Sequence, residues 1–431
     1  MSNQTSQTTL TAQHSLDEWL DYWNHVHVTG IDLGLERVQP VAEYLQLCTP
    51  NAKVISVAGT NGKGSTTTTI ASILHAAGYK VGLYQSPHIY RFNERVKLAG
   101  VEVSDADLVQ AFVQVEQARL ACQLSLSFFE ATTLAALWIF KQQACDVWVL
   151  EVGLGGRLDV VNVIDADVAV ITNIGLDHVE WLGDSIEKIA YEKAGIIRPH
   201  IPVVFASEQA LPVAISQKVE QCQAQLYIAG QDYVTQTFAD GRWGYACHGL
   251  TLALDEPSLA IENVSAAITA VLLSGLKVEQ SALRQGVAQA TLAGRFEIRQ
   301  IQQKTVIFDA GHNSHGIDFL VKQLDNYLRK NSQFSEIVSV FSMLADKDID
   351  SVVQQLKPHI TQWHIATLDN PRASTMQALT QPLAGENVQV YANIQHAFAQ
   401  ALQQLQPHQL LLVCGSFYTL EAVWEFLNHE Q

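Results

Sequence analysis

The 431-residue chain is short of positive charge: 26 Lys and Arg stand against 43 Asp and Glu, a formal charge of −17. A field of that sign repels a phosphate backbone unless a local basic patch overcomes it, so no nucleic-acid partner is expected. Cysteine is scarce as well. Its six copies, at 48, 122, 145, 222, 247 and 414, form no CxxC pair and mostly sit among apolar neighbours, which reads as buried free thiols in a reducing compartment. No uncharged apolar run is long enough to cross a bilayer, and the first fifteen residues lack the apolar stretch of an export signal, so a cytoplasmic protein without membrane anchoring is expected. There is no internal repeat and no low-complexity segment, only a Gln-rich surface in the C-terminal half.

Apolar material is plentiful. Hydrophobic residues make up 48% of the chain, enough for packed cores, and the length favours two domains. From residue 53 onward short β-rich runs (KVISVAG, VGLYQSP, DVWVLEVG, DVAVITNIG) alternate with helical stretches, the signature of a parallel sheet covered on both faces. PVVFA near 202 and YACHGLTLAL near 245 read as further strands of that series. A second alternation follows GRFEIRQ: strands TVIFDAG, IVSVFSM, ITQWHIATL, VQVYA and LLLVCGS, with helices expected near 314–329, 349–357, 372–382 and 393–405. The expected fold class is therefore α/β. An N-terminal P-loop parallel-sheet domain over 1–294 precedes a smaller doubly wound, Rossmann-like domain over 295–431, with a hinge near 292–298.

The sharpest local signal is GTNGKGS at 59–65, set between a buried strand and a helix. Its glycines let the backbone turn tightly and aim N–H groups inward, and the helix adds its positive end. Lys63 supplies a cation for the β and γ phosphates, and Ser65 is placed to reach Mg²⁺. The loop departs from GxxxxGK[ST] by a glycine inserted between Lys63 and Ser65, and no NKxD guanine-reading motif appears, so a GTP switch is disfavoured. A Gly-rich turn that merely caps a helix is the bland alternative.

GTNGKGS is followed in order by YQSPHI at 84–89, EVGLGGRLD at 151–159, TNIGLDH at 172–178, EKAGI at 192–196, ENVSAAI at 262–268, GRFE at 294–297 and FDAGHN at 308–313. This series resembles the Mur ligase superfamily, and within it the folylpolyglutamate synthases. The peptidoglycan ligases of that superfamily carry a UDP-sugar domain ahead of the loop, for which the 58 residues before Gly59 are too few. The stretch HVTGIDLGLERVQPVAEYL at 27–45 instead resembles the segment with which bacterial bifunctional folate enzymes help to hold dihydropteroate.

The resemblance implies an ATP-dependent ligase that adds L-glutamate to dihydropteroate, forming dihydrofolate, and by γ-linkage to tetrahydrofolate. A carboxylate is a poor electrophile, so it is first converted to an acyl phosphate, a reaction that rests on positioning and on charge stabilisation by Mg²⁺ and cations. Gly59, Thr60, Asn61, Gly62, Lys63, Gly64 and Ser65, with Asn263, Arg295 and Asp309, are the implied ATP set. Ser65, Ser86, Glu151 and His178 are the implied metal set; taken alone, either Ser reads equally as a helix cap and His178 as a hydrogen-bonded core or loop residue. Lys63, Lys193, His178, Asp309 and His312 carry the implied catalytic roles. Without the resemblance, Asp309 reads as evenly as a turn or cap residue, and Lys193 as a surface lysine. The matching family lysine is carbamylated, which needs an unprotonated amine of lowered pKa.

Ser127, Phe129 and Asp159 are the implied pterin contacts, although Phe129 alone would read as core. Arg157, Lys347 and Ser416 sit in motif-like contexts without an assigned role. Residues expected from both domains imply closure that shields the acyl phosphate from water. A monovalent-cation requirement is left open, and similar enzymes are monomers. The rival readings are a folylpolyglutamate synthase lacking the first activity, another Mur-type amino-acid ligase, and a nucleotide-binding module without chemistry.

Overall fold

The computed structural model describes residues 10–27, 34–238 and 242–429. Residues 28–33 of the stretch expected to help hold dihydropteroate lie outside them. The chain divides into two compact units, one of 1–88 and 92–290, the other of 89–91 and 291–431. The change of unit thus falls between Ala290 and Thr291, ahead of the expected 294, and Ile89–Arg91 belongs with the second unit although its sequence carries no sign of that.

The first unit is built on an eight-stranded sheet. Its strands are β1 (Lys53–Ala58), β2 (Val81–Tyr84), β3 (Val96–Leu98), β4 (Val101–Glu102), β5 (Val147–Glu151), β6 (Val168–Ile171), β7 (Pro202–Phe205) and β8 (Gln225–Ile228), in the order β4-β3-β2-β5-β1-β6-β7-β8. The continuous apolar runs of β1, β5 and β6 are buried on both faces, which places them at the centre. β1 pairs in parallel with both β5 and β6, and its register sets Val57 opposite Glu151. The helix Lys63–Ala76 covers one side of this sheet and packs on the helices Ile261–Leu273 and Gln280–Gln289. A Cβ at Gly286 would lie 2.3 Å from the Ile73 Cα, so the last of those helices can approach this closely only with glycine there.

YACHGLTLAL does not extend the parallel series. It is a hairpin of β10 (Trp243–Cys247) and β11 (Leu250–Leu254), and with β9 (Tyr233–Thr237) it forms a separate antiparallel sheet. His248 and Gly249 both take positive φ, 47° and 81°, the requirement of a two-residue turn between tightly twisted strands.

In the second unit, β12 (Glu297–Ile301), β13 (Lys304–Asp309), β14 (Glu336–Phe341), β15 (Ile360–Ile365), β16 (Val388–Val390) and β17 (Gln409–Cys414) form a sheet ordered β12-β13-β17-β14-β15-β16. All neighbours are parallel except the edge pair β12 and β13. β12 was not anticipated: FEIRQI alternates exposed and half-buried residues, a pattern too weak to separate an edge strand from a hinge. The helix expected over 372–382 is a shorter Met376–Thr380 helix followed by a 3₁₀ turn, Gln381–Leu383, which has Pro382 in its first turn.

His364, on β15, is fully buried, with neither ring nitrogen hydrogen-bonded, and stacks on Tyr391 at 5.4 Å. Burial pushes its imidazole down to about 4 from the usual 6.5. The unfolded chain therefore takes up this proton first, so the contribution is whole above about pH 6.5 and is lost as pH falls toward 4, by roughly 2–3 kcal/mol. Urea denaturation at pH 7 and pH 5 should show a smaller loss of stability for His364→Phe than for wild type; equal losses would remove His364 as the cause.

Candidate active site

The backbone leaves β1 at Gly59, whose φ of 152° comes with a Cβ position only 1.7 Å from the Thr172 hydroxyl. Residues just past β6 hold the loop from the other side, through both backbone and side chain. Thr60 N donates to Asn173 O at 3.0 Å and Asn61 N to Asn173 Oδ1 at 2.9 Å, while the Thr172 hydroxyl donates to Asn61 O at 2.6 Å. The Thr60 hydroxyl sits between Gly175 N and Gly175 O, at 2.9 and 3.2 Å. Thr60 and Asn61 thus spend their amides on the protein, and the anion-binding capacity lies in the first turn of the 14-residue helix that starts at Lys63. Gly62 caps that helix at φ 84°, and a Cβ there would strike the Asn263 amide at 2.2 Å, so Asn263 rests directly on the loop.

Two lysines converge on one oxygen. Lys63 Nζ donates to Gly59 O at 3.0 Å and to Thr60 O at 3.3 Å, and Lys193 Nζ reaches the same Gly59 O at 2.8 Å. Lys193 lies in the helix Ile186–Ala194, is only 4% exposed, and is pushed down to about 7 by burial first and by the Lys63 charge second, against the pull of Asp177 and Asp159. It is not the surface lysine its helix suggests. Half of such amines are unprotonated near neutral pH, which is what addition to an electrophile requires.

The helix bearing Lys193 is locked to the EVGLGGRLD loop. Arg157 N donates to Glu192 O at 2.8 Å, the Arg157 guanidinium pairs with Glu192 Oε1 at 2.9 Å, and Asn162 Nδ2 bonds Arg157 O and Gly195 O, each at 3.1 Å. A Cβ at Gly195 would lie 2.4 Å from the Arg157 Cα, so the glycine of EKAG is a packing requirement. Asp159 closes the same loop. Its carboxylate accepts from Gly153 N, Leu154 N and Val161 N at 2.9–3.0 Å, and burial still pushes it up to about 6. Phe129 lies over this loop, where a Cβ on Gly153 would come within 2.3 Å of its ring, and Tyr84 is the next aromatic at 6.3 Å. Ser127 caps the helix Phe128–Gln142 in a reciprocal box with Glu130 and is 2% exposed.

Glu151 ends β5 and is 4% exposed. A buried carboxylate needs compensation, and one cation that feels its charge is Arg95, which sequence reasoning missed because a lone Arg before a short strand carries no signal. Arg95 is itself buried, donates from Nε to His88 Nδ1 at 2.8 Å, lies over Phe92 and Phe128, and interacts with Tyr84 and Glu151. Burial lowers its pKa, and together with Arg95's charge it pushes His88 down to about 4. Ser65 is buried in the helix after the loop, Ser86 is half-buried two residues past β2, and His178 is exposed, its ring 3.9 Å from Asp177. Among the described residues no three His, Cys, Asp or Glu side chains gather as a metal cage. One buried carboxylate with hydroxyl donors beside a phosphate loop instead fits a hard cation that keeps waters and borrows phosphate oxygens, the habit of Mg²⁺ and Mn²⁺.

In the second unit, Asp309 ends β13, accepts from Phe296 N at 2.9 Å and Gly311 N at 2.8 Å, and is pushed up by burial against the neighbouring Arg295. Arg295 stacks over Phe417 at 5.0 Å, and His312 Nδ1 lies 2.9 Å from Ala310 O with its ring 6.1 Å from Phe417. Arg295, Asp309, His312 and Phe417 thus share one corner of that unit. Ser416 is buried there against Thr419, and Lys347 lies 3.9 Å from Asp346.

The loop geometry gives one direct expectation. Gly59→Ala should weaken ADP binding about a hundredfold in a calorimetric titration, the scale of roughly 3 kcal/mol of overpacking. Gly78→Ala is the control, because Gly78 has φ 90° and open space at its Cβ. Equal affinities in the two variants would show that the contact with Thr172 is unimportant.

Comparison with known proteins gives the family. The Mur ligase middle domain matches residues 57–227, and the Mur ligase glutamate ligase domain matches 294–417. The chain is 41% identical over 418 residues to the dihydrofolate synthase/folylpolyglutamate synthase of Escherichia coli K12, covering 97% of this chain and 96% of that one. It superimposes with a TM-score of 0.91 and 39% identity on E. coli FolC in complex with DHPP and ADP, covering 98% of this chain and all of the other. A bifunctional folylpolyglutamate synthase/dihydrofolate synthase with Mn, AMPPNP and L-glutamate bound gives a TM-score of 0.89 at 38% identity, again over 98% of this chain and all of the other.

Proposed function

The chain belongs to the Mur ligases and, within them, to the dihydrofolate synthase/folylpolyglutamate synthase family of ATP-dependent ligases, and from that premise we propose how its own residues carry the two glutamylations. The acceptor carboxylate, of dihydropteroate or of tetrahydrofolate, attacks the γ phosphorus of ATP, giving an acyl phosphate and ADP. The amine of L-glutamate then attacks the acyl carbon, phosphate leaves, the nitrogen gives up a proton, and the amide remains.

The observation that carries this reading is the meeting of Lys63 and Lys193 at Gly59 O, within a loop whose helix presents its N-terminus to phosphate. Lys63 leaves the loop carbonyls for the β and γ phosphates and offsets charge as the bond to ADP breaks. Ser65, Ser86, Glu151 and His178 hold Mg²⁺, which when bound supplies charge neutralisation at the phosphate oxygens. Lys193 acts after carbamylation, as an anion that supports this set. Gly62, Gly64 and Asn263 shape the loop against the nucleotide, Phe129 stacks on the pterin, and Asp159 faces the pterin's amino edge with the lone pairs its three backbone donors leave. The assignments of Arg295 and Asp309 to ATP, and of His312 to catalysis, rest on their motifs and on the corner they share. Among the described residues no helix is long and apolar enough to cross a membrane, which is compatible with the cytoplasmic monomer we propose.

Phosphate release from MgATP tests the reading, with dihydropteroate or tetrahydrofolate as acceptor and each component omitted in turn. Release is expected only with nucleotide, an acceptor and glutamate all present. Release with tetrahydrofolate alone would make the enzyme a folylpolyglutamate synthase only, and release without any acceptor would sink the ligase mechanism.

A further inference from the structure

One ion pair in the first unit ties the N-terminal segment to the aromatic end of the site. Arg37 Nη2 donates to Glu130 Oε1 at 2.5 Å across 93 positions of sequence, with side chains 19% and 4% exposed. The second carboxylate oxygen of Glu130 accepts from Ser127 N at 2.7 Å, and Ser127 Oγ accepts in return from Glu130 N at 3.4 Å. A second tie lies beside it, where His27 Nδ1 and Ser125 Oγ are 3.1 Å apart. Glu130 thus fixes the first turn of the helix that presents Phe129, and Arg37 fixes Glu130.

Phe129 is close to the chemistry along the chain of contacts. Its ring rests on Gly153, two residues beyond Glu151, which ends β5 beside β1 and its phosphate loop. The two acceptors differ in reach, since a folate carries its reacting carboxylate at least about 3.5 Å farther from the pterin than dihydropteroate does. In the reading above both ring systems meet Phe129, and the longer acceptor, with a flexible glutamyl arm between its ring and its reacting carboxylate, tolerates a shift of that ring contact which the shorter one does not.

We propose that Arg37, acting through Glu130, is a positioning residue that selects for the shorter acceptor, dihydropteroate, by holding Phe129 and the Ser127 turn in place. Arg37 touches no reacting atom in this account, which rests on the two-acceptor reading above. A charged pair this little exposed holds its geometry well, and removing one partner leaves the other carboxylate oxygen to reorganise the turn.

Steady-state kinetics of wild type, Arg37→Met, Arg37→Lys and Glu130→Gln, with each acceptor at saturating MgATP and glutamate, test it. Arg37→Met and Glu130→Gln are expected to raise KM for dihydropteroate about tenfold with kcat within twofold, and to leave KM for tetrahydrofolate within twofold. Arg37→Lys should recover part of the loss. The tetrahydrofolate reaction reports that each variant is folded. Equal losses on both acceptors, or none on either, would overturn the selective role alone; a wild-type enzyme unable to use dihydropteroate would overturn this inference together with the two-acceptor reading.

Discussion

Lys193→Ala is expected to lower substrate-dependent phosphate release by at least about a thousandfold, the upper range for removal of one charge-stabilising group. Lys193→Met, equally inactive, should melt at a higher temperature than wild type. The amine is buried beside the Lys63 charge and is pushed from the usual 10.5 to about 7. Between those values the unfolded chain binds the proton and the folded protein does not, so stability rises with pH through this window. At pH 7 the shift represents roughly 4 kcal/mol that a methionine would not forgo. Activity should follow the unprotonated amine, rising with pH through about 7, and added bicarbonate should stimulate CO₂-depleted enzyme more at pH 8 than at pH 6. Full activity in Lys193→Ala would remove the lysine from the mechanism; full activity in rigorously CO₂-free buffer would remove the carbamate.

Glu151→Gln should act in the opposite sense on stability while also ending turnover. The glutamine keeps the shape of a 4% exposed side chain and deletes its charge, and with it one of the negative charges that favour the charged form of the buried Arg95 guanidinium. Losing that attraction should lower stability, so the variant should unfold at lower urea concentration. Mn²⁺ affinity in the presence of ADP, read by calorimetry, should fall at least about a hundredfold, because a mainly hydroxyl and water set holds a divalent ion poorly. Unchanged Mn²⁺ affinity would separate Glu151 from the metal.

What could be read from the sequence follows from which features are local. KVISVA before GTNGKGS states its own context: an apolar run too short for a helix, glycines where the chain must turn, and a helix after them. The same reading extended YACHGLTLAL into the parallel sheet, because a strand's residues do not reveal its direction and the turn there is His248-Gly249 rather than Asn-Gly. Arg95 and Arg37 were invisible as functional groups for a different reason. Each gains its meaning from partners far away in sequence, Glu151 for one and Glu130 for the other, and a single arginine predicts neither. Ser127 was read as a pterin contact, and the structure adds that its hydroxyl caps a helix. Asp159 similarly was read as a pterin contact, while three backbone donors make it the keystone of a loop.

The backbone contact between Gly195 and Arg157 bears on how this chemistry could be moved elsewhere. Because the main chain just after Lys193 presses on the main chain of the 153–159 loop with no room for a methyl group, the lysine and the carboxylate strand-end travel as one two-part module. A designer who grafts the lysine-bearing helix onto a foreign scaffold without that loop would transplant the amine and lose the depth at which it is dehydrated, leaving an ordinary, fully protonated surface lysine.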